Sequence, residues 1–486
     1  MGSVSNDGAR TSCLAWVIAM LAATAASAQT GQSGTSTPSG PQTEKPQAPE
    51  TAPAQRPESP LPVFATIGPS REIKIAEHTW FRFGAQVQAW YRAAQDRLQG
   101  SPNDGTYAQD YYCRRCRLFT TGSVVKDVFF NILFEAGNFG KADPATGVKS
   151  FASPNVLDAY AQVKFADAFW LSGGNILLPL NRNGMQPTTT YVSLDASNVA
   201  QTPVLQGNTL VLRDLGFQAN GFFLANHLEY RVGVFQGSRQ AAAPSGCPSA
   251  TGATTNCTQT ASHNGPRLVS MLSLNFWDPE TGYVNGGHYY GARRVLGVMG
   301  NFDYQILRTD APGFPATPLG SATVPPAGTS KNAYYGVSAA AFINYPLKGP
   351  NPKGGDEIVG LLQFGYYDGG LRTSGATVTN PGTYPNVLKQ WNYLAEAGYY
   401  NHTGHFSIFG KFEDRKISGD YPGPVVAGSN QYWLAGGLKY YVAPFNLLNF
   451  TLQYERNQFT DTDKATLQPQ QSGTNTLTFQ MQLLLY

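Results

Sequence analysis

The sequence predicts an all-β fold: a transmembrane antiparallel β-barrel of about sixteen strands, preceded by a signal peptide and a disordered linker. Three observations carry this reading. First, apolar and polar residues alternate with period two in segment after segment from Trp80 onward, the pattern of strands with unlike faces. Second, only 13% of the 486 residues are charged while 12% are aromatic, a composition suited to a barrel wall in lipid. Third, long and short connections alternate, as in barrels that join strands by short periplasmic turns and long outer loops. Mean hydropathy is −0.27 and no run of about eighteen apolar residues occurs, so helical membrane spans are excluded. A net charge of +3 argues against nucleic acid or another polyanion held by bulk charge.

Taken in order, the chain begins with Arg10 and an apolar run from Cys13 to Ala23, followed by Ala26-Ser27-Ala28 before Gln29. This is the small-x-small form of a signal peptidase site, and the run is about half the length of a span. Residues 1–28 are therefore expected to be a Sec-type signal peptide. Residues 29–72, rich in Pro, Gln and Ser, are expected to be a disordered or polyproline-like linker. The barrel is expected to occupy 73–486.

The first strand sets Phe81, Phe83, Ala85, Val87, Ala89 and Tyr91 against Arg82, Gln86, Gln88 and Arg92. The stretch from Arg114 to Phe139 holds the next two, split near Lys126-Asp127. Further strands follow at 157–165, 169–176, 211–220, 228–236, 267–276, 293–304, 334–345, 357–367, 390–400, 406–415, 432–442, 447–457 and 474–486. Long links fall at 93–112, 137–155, 177–210, 237–266, 305–331, 368–387, 416–429 and 458–473. Those around Lys126, Asp167, Ala225, Pro346, His402 and Pro444 are shorter, and only 277–291 is long for a turn. This alternation places both barrel ends on the periplasmic side.

In the Arg114–Phe139 hairpin, a two-residue turn at Lys126-Asp127 would put Arg117 on the same face as Ala136. A three-residue turn instead pairs Val124 with Phe130 and Thr120 with Phe134, apolar against apolar, and is the register expected. Glu135 then lies diagonally from Arg117. A lipid-facing Arg near the midplane costs about 2–4 kcal/mol. Arg115, Arg117 and Lys164 therefore point into the lumen, and Leu118, Phe130 and Phe134 face lipid. Arg213 shares parity with Leu215 and Phe217 and is expected near the outer rim.

Several of these segments resemble the phosphate-selective porin O and P family of Gram-negative outer membranes. They are RRCRLFTTGSVVKDVFFNILFEAGNFGK, LDAYAQVKFADAFWLSGGNILLPLNR, LEYRVGVFQG and YWLAGGLKYYVAPFNLLNFTLQYERNQF. The resemblance covers most of Trp80 to Tyr486. It implies a trimeric sixteen-stranded anion porin whose third outer loop, here about Leu177 to Leu210, folds into the lumen as a constriction. That loop offers Arg182, one Asp195 and no lysine, a departure from the family's basic constriction. In the last strand Leu477, Phe479, Met481, Leu483 and Leu485 are in phase and Tyr486 is not. A bulge at Leu484 would reconcile the terminal aromatic with recognition by the barrel-assembly machinery.

The expected lumen path is lined by Arg82, Arg115, Arg117, Lys164, Arg182, Arg231, Lys411, Arg415 and Lys439, with Arg115, Arg117 and Arg182 singled out for anions. Positive charge in a low-dielectric wall raises local anion concentration without tight binding. The plainer alternative is that each cation neutralises a carboxylate such as Glu135, Asp158, Glu229, Glu413 or Glu455. Removing the four basic and five acidic residues before Ile73 from the totals of 34 and 31 leaves 30 against 26, a small excess.

Cys247 and Cys257 bracket a Pro/Gly/Thr-rich loop and are a disulfide candidate. Cys113 and Cys116 form a CxxC that Arg117 disqualifies for haem attachment and that lacks a second pair for zinc. A short-range disulfide and two free thiols both remain open there. His402 and His405 fall on a turn with no Cys or carboxylate partner nearby. No GxSxG elbow or GxxxxGK[ST] loop occurs, so neither catalysis nor a cofactor is expected.

The function expected is passive diffusion of small hydrophilic solutes with a preference for anions, phosphate or polyphosphate among them. The alternatives are a neutral-solute or sugar porin and a surface receptor or adhesin. The partners expected are lipid bilayer and lipopolysaccharide, the barrel-assembly machinery and two further copies in a homotrimer.

Overall fold

A computed structural model of the chain describes residues 72–95, 105–143, 146–151, 153–201, 212–237, 247–248, 254–255, 265–309, 330–369, 389–418, 430–443, 446–459 and 473–485. The expected signal peptide and all of the linker but Glu72 lie outside these residues, as does the proposed Cys247–Cys257 pairing.

Sixteen antiparallel strands form one closed ring: β1 Trp80–Gln95, β2 Tyr107–Val125, β3 Val128–Phe139, β4 Asn155–Ala166, β5 Phe169–Leu177, β6 Arg213–Phe223, β7 Leu228–Phe235 and β8 Arg267–Asn275, then β9 Val295–Thr309, β10 Ser330–Pro346, β11 Glu357–Asp368, β12 Gln390–Asn401, β13 Phe406–Ile417, β14 Gln431–Ala443, β15 Leu448–Phe459 and β16 Thr474–Leu485. Each pairs with its sequence neighbours, and β1 closes the ring on β16 from Ala85↔Leu485 to Ala94↔Thr476. A two-residue strand, Ile73–Lys74, pairs with Trp80 and Phe81 where β16 has ended. Closure matters because an unpaired backbone N–H or C=O in hydrocarbon costs several kcal/mol.

Side chains sort by parity. Leu118, Phe134, Phe217, Val232, Leu272, Phe302, Leu434, Leu452 and Phe479 are exposed on the outer wall, Leu118 at 64%. Gln86, Gln88, Arg115, Arg117, Asn131, Gln218, Arg231, Asn301, Ser338, Glu396, Lys411, Gln453 and Gln480 are buried on the inner one. An apolar outer belt around a polar interior inverts a soluble protein and is the arrangement of a membrane barrel. Outward aromatics form clusters near strand ends, Tyr91 with Tyr111 and Trp391 with Phe364 and Tyr366, as interfacial girdles do.

Two expectations need correction. The β2–β3 turn is the two-residue one at Lys126-Asp127, with Asp127 left-handed at φ 62°, a conformation Asp tolerates. Val125 pairs with Val128, and a bulge at Val124 then restores the parity that this turn would have reversed. The resulting register is Leu118↔Phe134 and Arg117↔Glu135, two residues from the expected one. An even slide keeps every side chain on its face, but it sets Glu135 directly opposite Arg117. The second correction is at the C-terminus: β16 runs against β1 without a shift through Leu484, so no bulge lies there. Leu484 points inward among Phe119, Leu133 and Leu157, and Tyr486 is outside the described residues.

The belt makes a depth-dependent prediction. Leu118→Arg should destabilise the folded barrel by about 2–4 kcal/mol and Val124→Arg, beside the turn, by about 0–1 kcal/mol. Urea midpoints for folding into lipid vesicles measure both.

Candidate functional site

The link after β5 does not leave the barrel. Residues 178–201 lie in the lumen with nearly every side chain buried. The local sequence explains how such a segment holds a shape: Asn181 Oδ1 accepts from Gly184 N at 2.7 Å, and Pro187 O accepts from Thr190 N at 2.9 Å. These are side-chain and backbone turns. A Cβ at Gly184 would meet Leu212 Cδ1 at 2.5 Å, so a larger residue there would have to turn that side chain aside.

Side chains on seven consecutive wall strands, β9 to β15, satisfy the segment's backbone. Asn301 donates to Pro179 O at 2.7 Å and Ser338 to Leu180 O at 2.8 Å. Gln363 accepts from Asn183 N at 2.9 Å, Glu396 from Ser193 N at 3.0 Å and Gln453 from Leu194 N at 3.1 Å. Glu413 takes the Ser197 hydroxyl at 2.8 Å and Val199 N at 3.1 Å. Lys439 donates to Tyr191 O at 2.7 Å. A loop buried without partners would be untenable; here the polar lumen wall supplies them.

The sequence-predicted cations mostly have acidic partners. Arg82 bonds Glu72 at 2.9 Å, Arg115 bonds Asp195 at 2.5 Å, and Arg117 pairs with Glu135 and also donates to Thr188 at 2.7 Å. Lys164 meets Asp167 at 2.6 Å on the short-turn rim, Arg231 meets Glu229 at 2.7 Å, and Lys411 meets Glu413 at 2.7 Å. Arg182 forks onto Glu280 at 2.6 and 2.8 Å while stacked on Phe342. Arg415 bonds Gln431 at 2.8 Å. Arg213 begins β6 at the long-loop end and turns onto Asp158 at 3.1 Å.

Sequence reasoning missed three cations at the long-loop mouth. Arg114 has lipid-facing parity, but a bulge between Gln88 and Ala89 of β1 makes it the extra residue of β2. It bonds Asp195 at 3.0 Å and lies over Trp90. Cys113 and Cys116, which flank it and Arg115, are joined as a disulfide. Arg92 and Lys141 are half-buried beside Tyr112 and have no carboxylate within 4 Å among the described residues. A signal for Arg114 existed in the run Arg114-Arg115, since only one of two adjacent strand residues can face each side without a bulge.

The other omission is the link 276–294, noted in the sequence only as long for a turn. It too folds inward, with Glu280, His288 and Tyr290 buried. Tyr283 stacks on Tyr160, and His288 Nδ1 lies 3.0 Å from Glu357. Among the described residues no cluster of three or more His, Cys, Asp or Glu could hold a metal ion.

Burial alone would raise the Asp195 carboxyl, but Arg114 and Arg115 outweigh it and hold it well below the usual carboxylate range. A depressed carboxylate keeps its contribution above the ordinary value of about 3.9 and loses it only as pH falls through the lower folded value. Asp195→Asn should leave two guanidiniums without their shared counterion and shift the reversal potential toward anions. The wild-type contact should survive acidification from pH 7 to about 4, read as unchanged protection factors at 193–197 after correction for the pH dependence of intrinsic amide exchange.

The chain matches no known protein-family profile, and no curated protein matches it. Solved structures do. OmpF of Salmonella typhi, determined in complex with daunomycin, superposes with a TM-score of 0.50 at 13% identity, over 85% of this chain and 100% of that one. The outer membrane channel DcaP of Acinetobacter baumannii gives 0.49 at 9% identity, over 85% and 99%. OprB of Pseudomonas putida gives 0.49 at 9%, over 83% and 94%. The likeness to OmpF is one of fold: a closed sixteen-stranded barrel.

Proposed function

We propose that the protein is an outer-membrane channel through which small hydrophilic solutes diffuse passively, with weak discrimination by charge. The observation that carries this reading is a polar inner wall behind a continuous apolar belt in a closed ring of sixteen strands, a barrel size that leaves an aqueous lumen. The short-turn end then faces the periplasm and the long-loop end the outside, with lipopolysaccharide around the rim. Export by the Sec route, insertion by the barrel-assembly machinery and assembly as a homotrimer belong to the same proposal.

Pairing of the cations bears on selectivity. Among the described residues, at least seven of the nine sequence-predicted ones have a carboxylate oxygen within 4 Å. That supports passage of neutral and mixed solutes over dedicated phosphate transport, because a paired charge adds little to the long-range field. A modest anion preference is a second reading, favoured by Arg92, Arg114 and Lys141 at the mouth.

Planar bilayers containing purified protein should show discrete conductance steps and a small reversal potential in a salt gradient. Arg92→Gln with Lys141→Gln should move that potential toward cations if the mouth attracts anions. A strongly cation-selective wild type would contradict the proposal, and absence of any steps would favour a receptor or adhesin.

A further inference from the structure

Two segments enter the lumen from opposite ends, and they meet. The link 276–294 spends nineteen residues where 126–127 uses two and 402–405 uses four, far more than strand joining requires. The surplus is anchored on three walls. Glu357 of β11 accepts from Gly291 N at 2.9 Å and Tyr289 N at 3.3 Å. Arg231 of β7 donates to Tyr283 O at 2.7 Å and Gly282 O at 3.1 Å. The Tyr283 hydroxyl accepts from Leu177 N of β5 at 2.8 Å.

From this footing the segment holds the loop 178–201. Glu280 takes both prongs of Arg182 and the Tyr289 hydroxyl, while Gly286 O accepts a further Arg182 bond at 3.0 Å. Asn285 N donates to Met185 O at 3.1 Å and Gly287 N to Thr190 Oγ1 at 3.1 Å. Gly287 lies so close that a Cβ there would sit 2.2 Å from Thr190 O. Backbone thus abuts backbone, and the loop rests against the segment as against a stop.

We propose that segment 276–294 is the second half of the constriction. It sets how far the loop 178–201 reaches into the lumen, with Glu280 and Gly287 as positioning residues. The effect on solute passage rests on the channel reading; the effect on loop position does not. Packed elements shift between discrete arrangements rather than deform smoothly, so displacing the stop should move the loop as a unit.

The test uses the full chain in lipid vesicles and reads hydrogen exchange over 180–200 beside single-channel conductance. Gly287→Ala must push Thr190 away, whereas Gly300→Ala, on β9 with nothing within 4 Å of its Cβ, serves as control. Glu280→Gln leaves the Arg182 guanidinium buried without its counterion, and Arg182→Met combined with Glu280→Leu removes both charges together. Gly287→Ala and Glu280→Gln should speed exchange by about tenfold or more and alter conductance. The double variant should return both toward wild type, and Gly300→Ala should change neither.

Wild-type exchange and conductance in Gly287→Ala and Glu280→Gln would overturn the proposal, as would failure of the double variant to rescue. Heat-dependent mobility in SDS reports folding of each variant. If Glu280→Gln does not fold, Gly287→Ala against Gly300→Ala decides alone. Exchange that behaves as expected in a protein with no conductance, wild type included, would defeat the channel reading and leave the positioning role standing.

Discussion

Hydrocarbon offers a backbone no hydrogen-bond partner, and the rest of the structure follows from that constraint. Each strand must find both neighbours, so the ring closes from β1 onto β16 with no edge left over. Once closed, period-two geometry gives every strand one face toward lipid and one toward the interior. The same rule governs the lumen. Residues 178–201 carry backbone polar groups into a space shared with the wall, and Gln363, Glu396, Glu413 and Gln453 are placed to receive their N–H groups. A side-chain set that reads along the strands as polar spacing is in the folded chain a socket for the loop.

Charge in the lumen obeys a second constraint. Removing one member of a buried ion pair costs about 3–5 kcal/mol, because the survivor is stranded. The wall and the inward segments accordingly bring arginines and carboxylates in together: Arg267 on Asp303 and Arg231 on Glu229 on the wall, Arg182 on Glu280 between the segments. These pairs fix geometry more than they create a field. At the long-loop mouth Arg92 and Lys141 stand near Tyr112, and Asp195 serves Arg114 and Arg115 at once.

Much of the barrel was legible from residues alone. Alternation along a strand is a local property, so sixteen strands, their faces and the long and short links could be read without knowing any pairing. Register was less accessible. The bulges at Val124 and Arg114 insert one residue each; the first leaves no mark in the sequence and the second only the adjacent pair Arg114-Arg115, hence the two-residue slide in the first hairpin and the omission of Arg114. Of the site, the inward loop at about Leu177 to Leu210 follows from a resemblance, with Arg182 and Asp195 named in it. Their partners were not, because Glu280 lies 98 residues from Arg182 in a link whose only local oddity was its length. Long-range pairing in the lumen is a property of the closed ring, and sequence spacing does not encode it.

If the lumen is a water-filled path narrowed by two inward segments and largely neutral in effect, size more than charge governs what passes. Swelling of protein-containing vesicles in isotonic solutions of uncharged sugars of increasing size tests it most directly. Swelling should be fast with the smallest sugars and fall steeply as the solute grows, with small charged solutes of similar size entering at comparable rates. Swelling no faster than in protein-free vesicles, or equally fast for the largest and smallest sugars, would contradict it.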